Sequence, residues 1–181
     1  MKRLYFLSFF VAISIAGASQ PNIPTKLQSK LREMGVDILL PLDSDYKAFR
    51  PAENDYIRFD WAIRSRKDKM EIYYAFEPYR AEHAAADLPH LKFGRLLMTL
   101  ATNDDPGIMT VHQLDASDLK EKFGADWGKV AYFQPKKNWA ARQHCKMLTL
   151  FREGQGTAYV LFLFDDPQDA LEKRNQAIYF Q

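Results

Sequence analysis

One stretch limits the fold more than any other: TAYVLFLF, Thr157 to Phe164. In an extended chain Tyr159, Leu161 and Leu163 fall on one side and Val160, Phe162 and Phe164 on the other, so neither side is polar. Such a strand belongs in the interior of a sheet that is covered on both faces. Just before it, HCKMLTLFR places Cys145, Met147, Thr149 and Phe151 on one face and Lys146, Leu148, Leu150 and Arg152 on the other. The intervening EGQG has the glycines that a hairpin turn with positive φ requires. A paired hairpin with two apolar faces needs further strands beside it and other layers above and below.

The rest of the chain supplies them. LQSKLREMG reads as a short helix that stops at Gly35, and VDILLPL as a first strand. From Tyr56 an alternation sets Ile57, Phe59, Trp61 and Ile63 against Arg58, Asp60, Ala62 and Arg64. The charged turn SRKDK joins it to a second run in which Met70, Ile72, Tyr74 and Phe76 oppose Glu71, Tyr73, Ala75 and Glu77, which predicts a hairpin with one wet face. Between Asp87 and Asn103 the period changes: Phe93, Leu96, Leu97, Leu100 and Ala101 repeat as in an amphipathic helix, which DDPG then breaks. IMTVHQL is the next expected strand, followed by a short helix ASDLKEKF capped by Asp115 and closed by Gly124, and by a strand KVAYFQPK. DDPQDALEKR reads as a helix with Asp166 at its cap, and AIYF as a closing edge strand. The expectation is one α+β domain over residues 31–181, an antiparallel β-sheet flanked by helices on both faces, after a flexible lead-in over 19–30.

The first eighteen residues read differently. Lys2 and Arg3 precede an apolar run from Leu4 to Ala16, and Ala16, Gly17 and Ala18 form a small-residue site, the layout of a cleaved secretory signal. The run is too short for a spanning helix, which takes about 20 apolar residues. A periplasmic or secreted protein with no stable membrane anchor after cleavage is therefore expected. That segment holds two of the 25 basic residues and none of the 23 acidic ones, leaving an even balance. A nucleic-acid partner would call for a basic excess or stripe, and neither is present.

Candidate chemistry is sparse. The one cysteine, Cys145, cannot close an internal bridge, and as strand neighbours His144 and Cys145 point to opposite sides, a poor geometry for an activated thiol. It reads as core. His83, Asp87 and His90 have one-face helical spacing, but the histidines would lie about 10 Å apart along a helix, too far to share a metal ion. Asp104–Asp105 and Asp165–Asp166 precede prolines and read as turn or cap chemistry. Nucleophile elbows, phosphate loops, dinucleotide fingerprints and zinc helices are missing from the sequence, and no cofactor, metal site or catalytic residue is implied. His112, on the strand IMTVHQL, could face a pocket. Tyr73, Tyr79, Trp127, Tyr132 and Trp139 add more aromatic surface than one core readily hides, so they are expected, with His112, to line a groove or interface.

The element order from Val36 to Phe180, with the hairpin CKMLTLFREGQGTAYVLFLFDD, resembles the PsbP-like fold. That resemblance implies an α/β/α sandwich of the kind found in extrinsic photosystem II subunits, a Ran-binding nuclear-import factor and exported bacterial proteins. It carries over no functional residue. The functional expectation is a non-catalytic binding or assembly factor of the cell envelope with a protein partner. The alternative is a small-ligand or metal-binding protein, or an enzyme, with a site near His112.

Overall fold

The structure, a computed structural model, describes residues 21–51, 53–83, 88–103, 109–166, 171 and 174–181. The signal-like segment, Asp87, the side chain of His83, the pair Asp104–Asp105 and most of the DDPQDALEKR helix lie outside the described residues.

Helix α1 (Thr25–Met34) buries Leu27, Leu31 and Met34 and ends at Gly35, whose φ of 58° lets its N–H turn back to the carbonyls of Leu31 and Arg32. It begins within the segment expected as lead-in. The chain then forms β1 (Val36–Ile38), which pairs antiparallel with the last strand, β9 (Ile178–Phe180), in a two-stranded ribbon separate from the main sheet.

The main sheet has seven antiparallel strands in the order β2 (Lys47–Phe49), β3 (Trp61–Ser65), β4 (Met70–Pro78), β8 (Gly156–Phe164), β7 (His144–Arg152), β6 (Trp127–Phe133) and β5 (Thr110–Gln113). The two-faced strand is thus the middle one, with β4 on one side and β7 on the other. All nine of its residues are buried. The β7–β8 turn uses Gly154 at φ 73°, and Gly156 at φ 126° begins β8 where it crowds the β4 backbone. A Cβ on Gly156 would lie 2.2 Å from the Glu77 carbonyl oxygen.

Side chains of the sheet sort by alternation into two clusters. Trp61, Ile63, Ile72, Tyr74, Leu148, Val160 and Phe162 join the buried face of α1 and the β1–β9 ribbon. Ala62, Tyr73, Ala75, Cys145, Met147, Tyr159 and Leu161 join Phe93, Leu97 and Leu100 of helix α2 (Pro89–Leu100).

Two details differ from the alternation pattern. The strand expected from Tyr56 starts only at Trp61, because Asp60 ends the ladder. Its N–H donates to the Tyr74 carbonyl at 2.8 Å, while its carboxylate accepts from the Phe76 N–H at 2.9 Å and from Lys30 Nζ at 2.6 Å. Ile57 and Phe59 then pack in the second cluster, opposite Trp61 and Ile63. The second difference follows from the first. The face of β4 expected to be wet is buried at Tyr73 and Ala75, where Phe59 and Phe49 stand edge-on to Tyr73 at centroid distances of 4.8 and 5.5 Å, while Glu71 is half-buried and Glu77 exposed.

After β5, α3 (Ala116–Asp118) runs into a π-helical turn, Leu119–Phe123, that ends at Gly124 with φ 60°. Asp115 holds the capping backbone conformation, but its side chain makes no cap hydrogen bond.

Candidate functional site

The six residues expected to form a recognition surface do not gather. Tyr73 and Trp139 are core: both rings meet Phe59, and Trp139 Nε1 donates to the Leu100 carbonyl at 2.9 Å. Buried rings cannot take part in a surface patch, so the expectation for these two is corrected. Trp127 packs edge-on to Phe93 of α2 at 6.0 Å, and Tyr79 is half-buried at the end of β4, its N–H bonded to the Gln155 carbonyl. Only His112 and Tyr132 come together, with ring centroids 6.3 Å apart, and both line a pocket of about 280 Å³.

Register explains how that pocket is built. Tyr132 on β6 sits opposite Thr110 on β5 and Lys146 on β7, and Lys146 sits opposite Phe162 on β8. His112, Val130 and Leu148 form the next row on the same face. The π-helical turn supplies Lys122 and Phe123 as a roof, and Asp118, Leu114 and Asn175 close the sides. Gln176 Nε2 donates to the Lys122 carbonyl and ties the roof to the C-terminal segment. Asp118 and Lys122 neutralise each other at 2.8 Å, and this pairing raises the Lys122 pKa. A π-turn is an uncommon element, frequent at functional sites.

The floor holds the unusual group. Lys146 lies in the interior of a long strand, 4% exposed, between a buried cysteine and a buried methionine. Its ammonium stands over the rings of Phe162 and Tyr132 at 5.3 and 5.9 Å and donates to Asn175 Oδ1. No carboxylate pairs with it among the described residues. Burial pushes its pKa down to about 8. The aromatic faces favour the charged form and burial the neutral one; burial prevails, because cation–π contacts are worth on the order of 1 kcal/mol and desolvation of an ion costs several.

In the sequence Lys146 shares a strand face with Leu148, Leu150 and Arg152, and the signal that singles it out is a charge in mid-strand beside a strand apolar on both sides.

A larger concavity, about 630 Å³, opens between α1, β4 and α2. Its charges are paired or solvated. Lys30 pairs with Asp60 and Lys92 with Glu77 at 2.6 and 2.8 Å, and Arg58 and Arg95 are solvated at the rim. Paired or solvated cations cost little to keep, whereas a buried amine without a carboxylate costs more, so the smaller pocket carries the stronger functional signal.

Cys145 is fully buried with its thiol pKa pushed well up by desolvation, while His144 on the opposite face is exposed and stacks on Phe164 at 5.7 Å. The two form no dyad. Asp165 accepts from Arg142 at 2.6 Å, which lowers its pKa, and from the Gln143 N–H at 3.2 Å, partners across the fold rather than within its own turn. His90 is exposed on α2. Among the described residues no group of three or more His, Cys, Asp or Glu side chains could hold a metal ion, and no helix is long and apolar enough to cross a membrane. Compared with protein-family models, with curated proteins and with solved structures, the chain matches none.

Proposed function

We propose that this is an exported, non-catalytic protein that binds a small ligand in the pocket over Lys146. The observation that carries the reading is a buried lysine without a carboxylate partner among the described residues, on the floor of a pocket that also holds a histidine and a tyrosine. A fold keeps a costly buried charge where the charge has work to do. Val130, Leu148 and Phe123 offer apolar contact, and Lys146, His112 and Tyr132 offer polar contact. The complementary ligand has a compact apolar body and one hydrogen-bond-accepting group. At roughly 30 Å³ per water, the pocket has room for about nine waters, so the ligand is small.

The envelope-partner reading drew its support from a cluster of exposed aromatics. With Tyr73 and Trp139 inside the core, less of that support is left, and the small-ligand reading is preferred. Export rests on the signal-like residues 1–18. In this reading the domain is an α/β/α sandwich, which is supported by α1 belonging to one apolar cluster of the sheet and α2 to the other; the PsbP-like resemblance rests on element order alone.

Thermal unfolding in the presence of a panel of small aromatic acids, aldehydes and amides tests the reading. Members that fit should raise the Tm of the wild type by several degrees and leave Lys146→Met unmoved. A panel that shifts both proteins equally, or neither, removes the support for this site. Sequencing the N-terminus of the mature protein tests export, which fails if Met1 is retained.

A further inference from the structure

The position of Lys146 points beyond reversible contact. We propose that Lys146 captures small aldehydes or ketones as an imine, with His112 and Tyr132 lining the space where the carbonyl sits. This inference rests on the pocket being the ligand site and names the ligand class.

Three observations converge on it. First, the amine is fixed. Nζ is held by Asn175 Oδ1 between the cross-strand rings of Tyr132 and Phe162, so a carbonyl entering the pocket meets a nucleophile in one position. Second, the amine is available as a base. The acid of the lining, Asp118, is engaged by Lys122, so it does not hold the Lys146 proton, and desolvation lowers the pKa to about 8. Third, proton carriers are at hand. The imidazole of His112 and the phenol of Tyr132 line the same cavity as the amine. The charged and titratable groups around Lys146 are thus His112 from β5, Tyr132 from β6, and Asp118 and Lys122 from the roof.

The reaction needs no oxidant or reductant. The neutral amine gives its lone pair to the carbonyl carbon, the C=O π pair moves onto oxygen, and the nitrogen gives up one proton while that oxygen takes one up to become a hydroxyl. That hydroxyl then leaves as water, taking a second proton as nitrogen forms the C=N bond and sheds its remaining hydrogen. One amine and one carbonyl give one imine and one water, and hydrolysis reverses the step. The product remains tethered, which suits capture or carriage of a reactive carbonyl.

The test treats the folded wild-type protein with benzaldehyde and cyanoborohydride at pH 7 and maps benzylated lysines by peptide mass. At that pH a lysine with a pKa of about 8 is neutral roughly 300 times more often than one at 10.5. Burial slows entry and a weaker base attacks less well, so Lys146 is expected to label at least about tenfold faster than the exposed Lys26 and Lys69 in the same sample. Preincubation with benzyl alcohol, which has the same body without a carbonyl, should slow the labelling of Lys146 alone. The comparison is internal to one protein, so it does not depend on how a variant folds. Labelling of Lys146 no faster than that of Lys26 overturns the imine. If benzyl alcohol then still perturbs the His112 and Tyr132 resonances, the pocket stands as a non-covalent site; if it does not, the ligand site falls as well.

Discussion

Replacing Lys146 by methionine keeps the side-chain length and removes its charge, which makes the cost of burial measurable. Desolvation lowers the amine pKa from 10.5 to about 8. At 1.36 kcal/mol per tenfold change in acidity, the charged form in the folded protein costs about 3 kcal/mol at pH 7 relative to the unfolded chain. The sign follows from proton counting. Between pH 8 and 10.5 the unfolded chain retains a proton that the folded protein has released, so wild-type stability rises with pH across that window and the penalty is fully present below it. Lys146→Met lacks this dependence. It should be more stable than wild type by about 3 kcal/mol at pH 7, and the advantage should vanish near pH 10.5. Urea unfolding of both proteins at several pH values, followed by tryptophan fluorescence, measures the difference, in which all other titrating groups cancel. A methionine variant less stable than wild type at pH 7, or a difference flat in pH, would refute the argument that this charge is held at a cost.

Other outcomes follow from features away from the pocket. Cys145 should resist thiol reagents in the native protein and react only at the rate of global unfolding, measured by timed labelling and mass; fast native labelling would contradict its burial. Gly156→Ala should destabilise by several kcal/mol, because the new Cβ meets the Glu77 carbonyl oxygen, whereas Gly154→Ala has open space around it and should cost only about 1 kcal/mol for its positive φ; equal denaturant midpoints would sink the distinction. Asp60→Ala should cost about 2 to 3 kcal/mol by leaving the buried Phe76 N–H without an acceptor and Lys30 with only the Phe76 carbonyl, and Asp60→Asn, which keeps one acceptor, should recover part of that in the same urea assay.

Strand pairing was legible where both periodicity and turn chemistry spoke. The β7–β8 hairpin, its glycine turn and its two apolar faces follow from 144–164, as does the helix stop at Gly35. Asp60 shows what periodicity misses. The alternation from Tyr56 to Arg64 is unbroken in the sequence, yet a side chain standing in for a backbone acceptor ends the ladder midway and sends Phe59 to the other face. Composition misled on the aromatics, because whether Tyr73 and Trp139 are surface or core depends on Phe49 and Phe59 packing against them, a long-range event with no local signature. The pocket was half visible: His112 and Tyr132 were picked out, but Lys146 became meaningful only when register put it between Tyr132 and Phe162.

The strand order has a bearing on how this protein must be made. On the ribosome, β2 to β4 emerge first and β5 to β7 next, and each set leaves one raw edge that only residues 156–164 can fill. Residues 70–78 must therefore wait for their partner until residues 156–164 have emerged, and closure of the sheet is slow and open to mispairing until then.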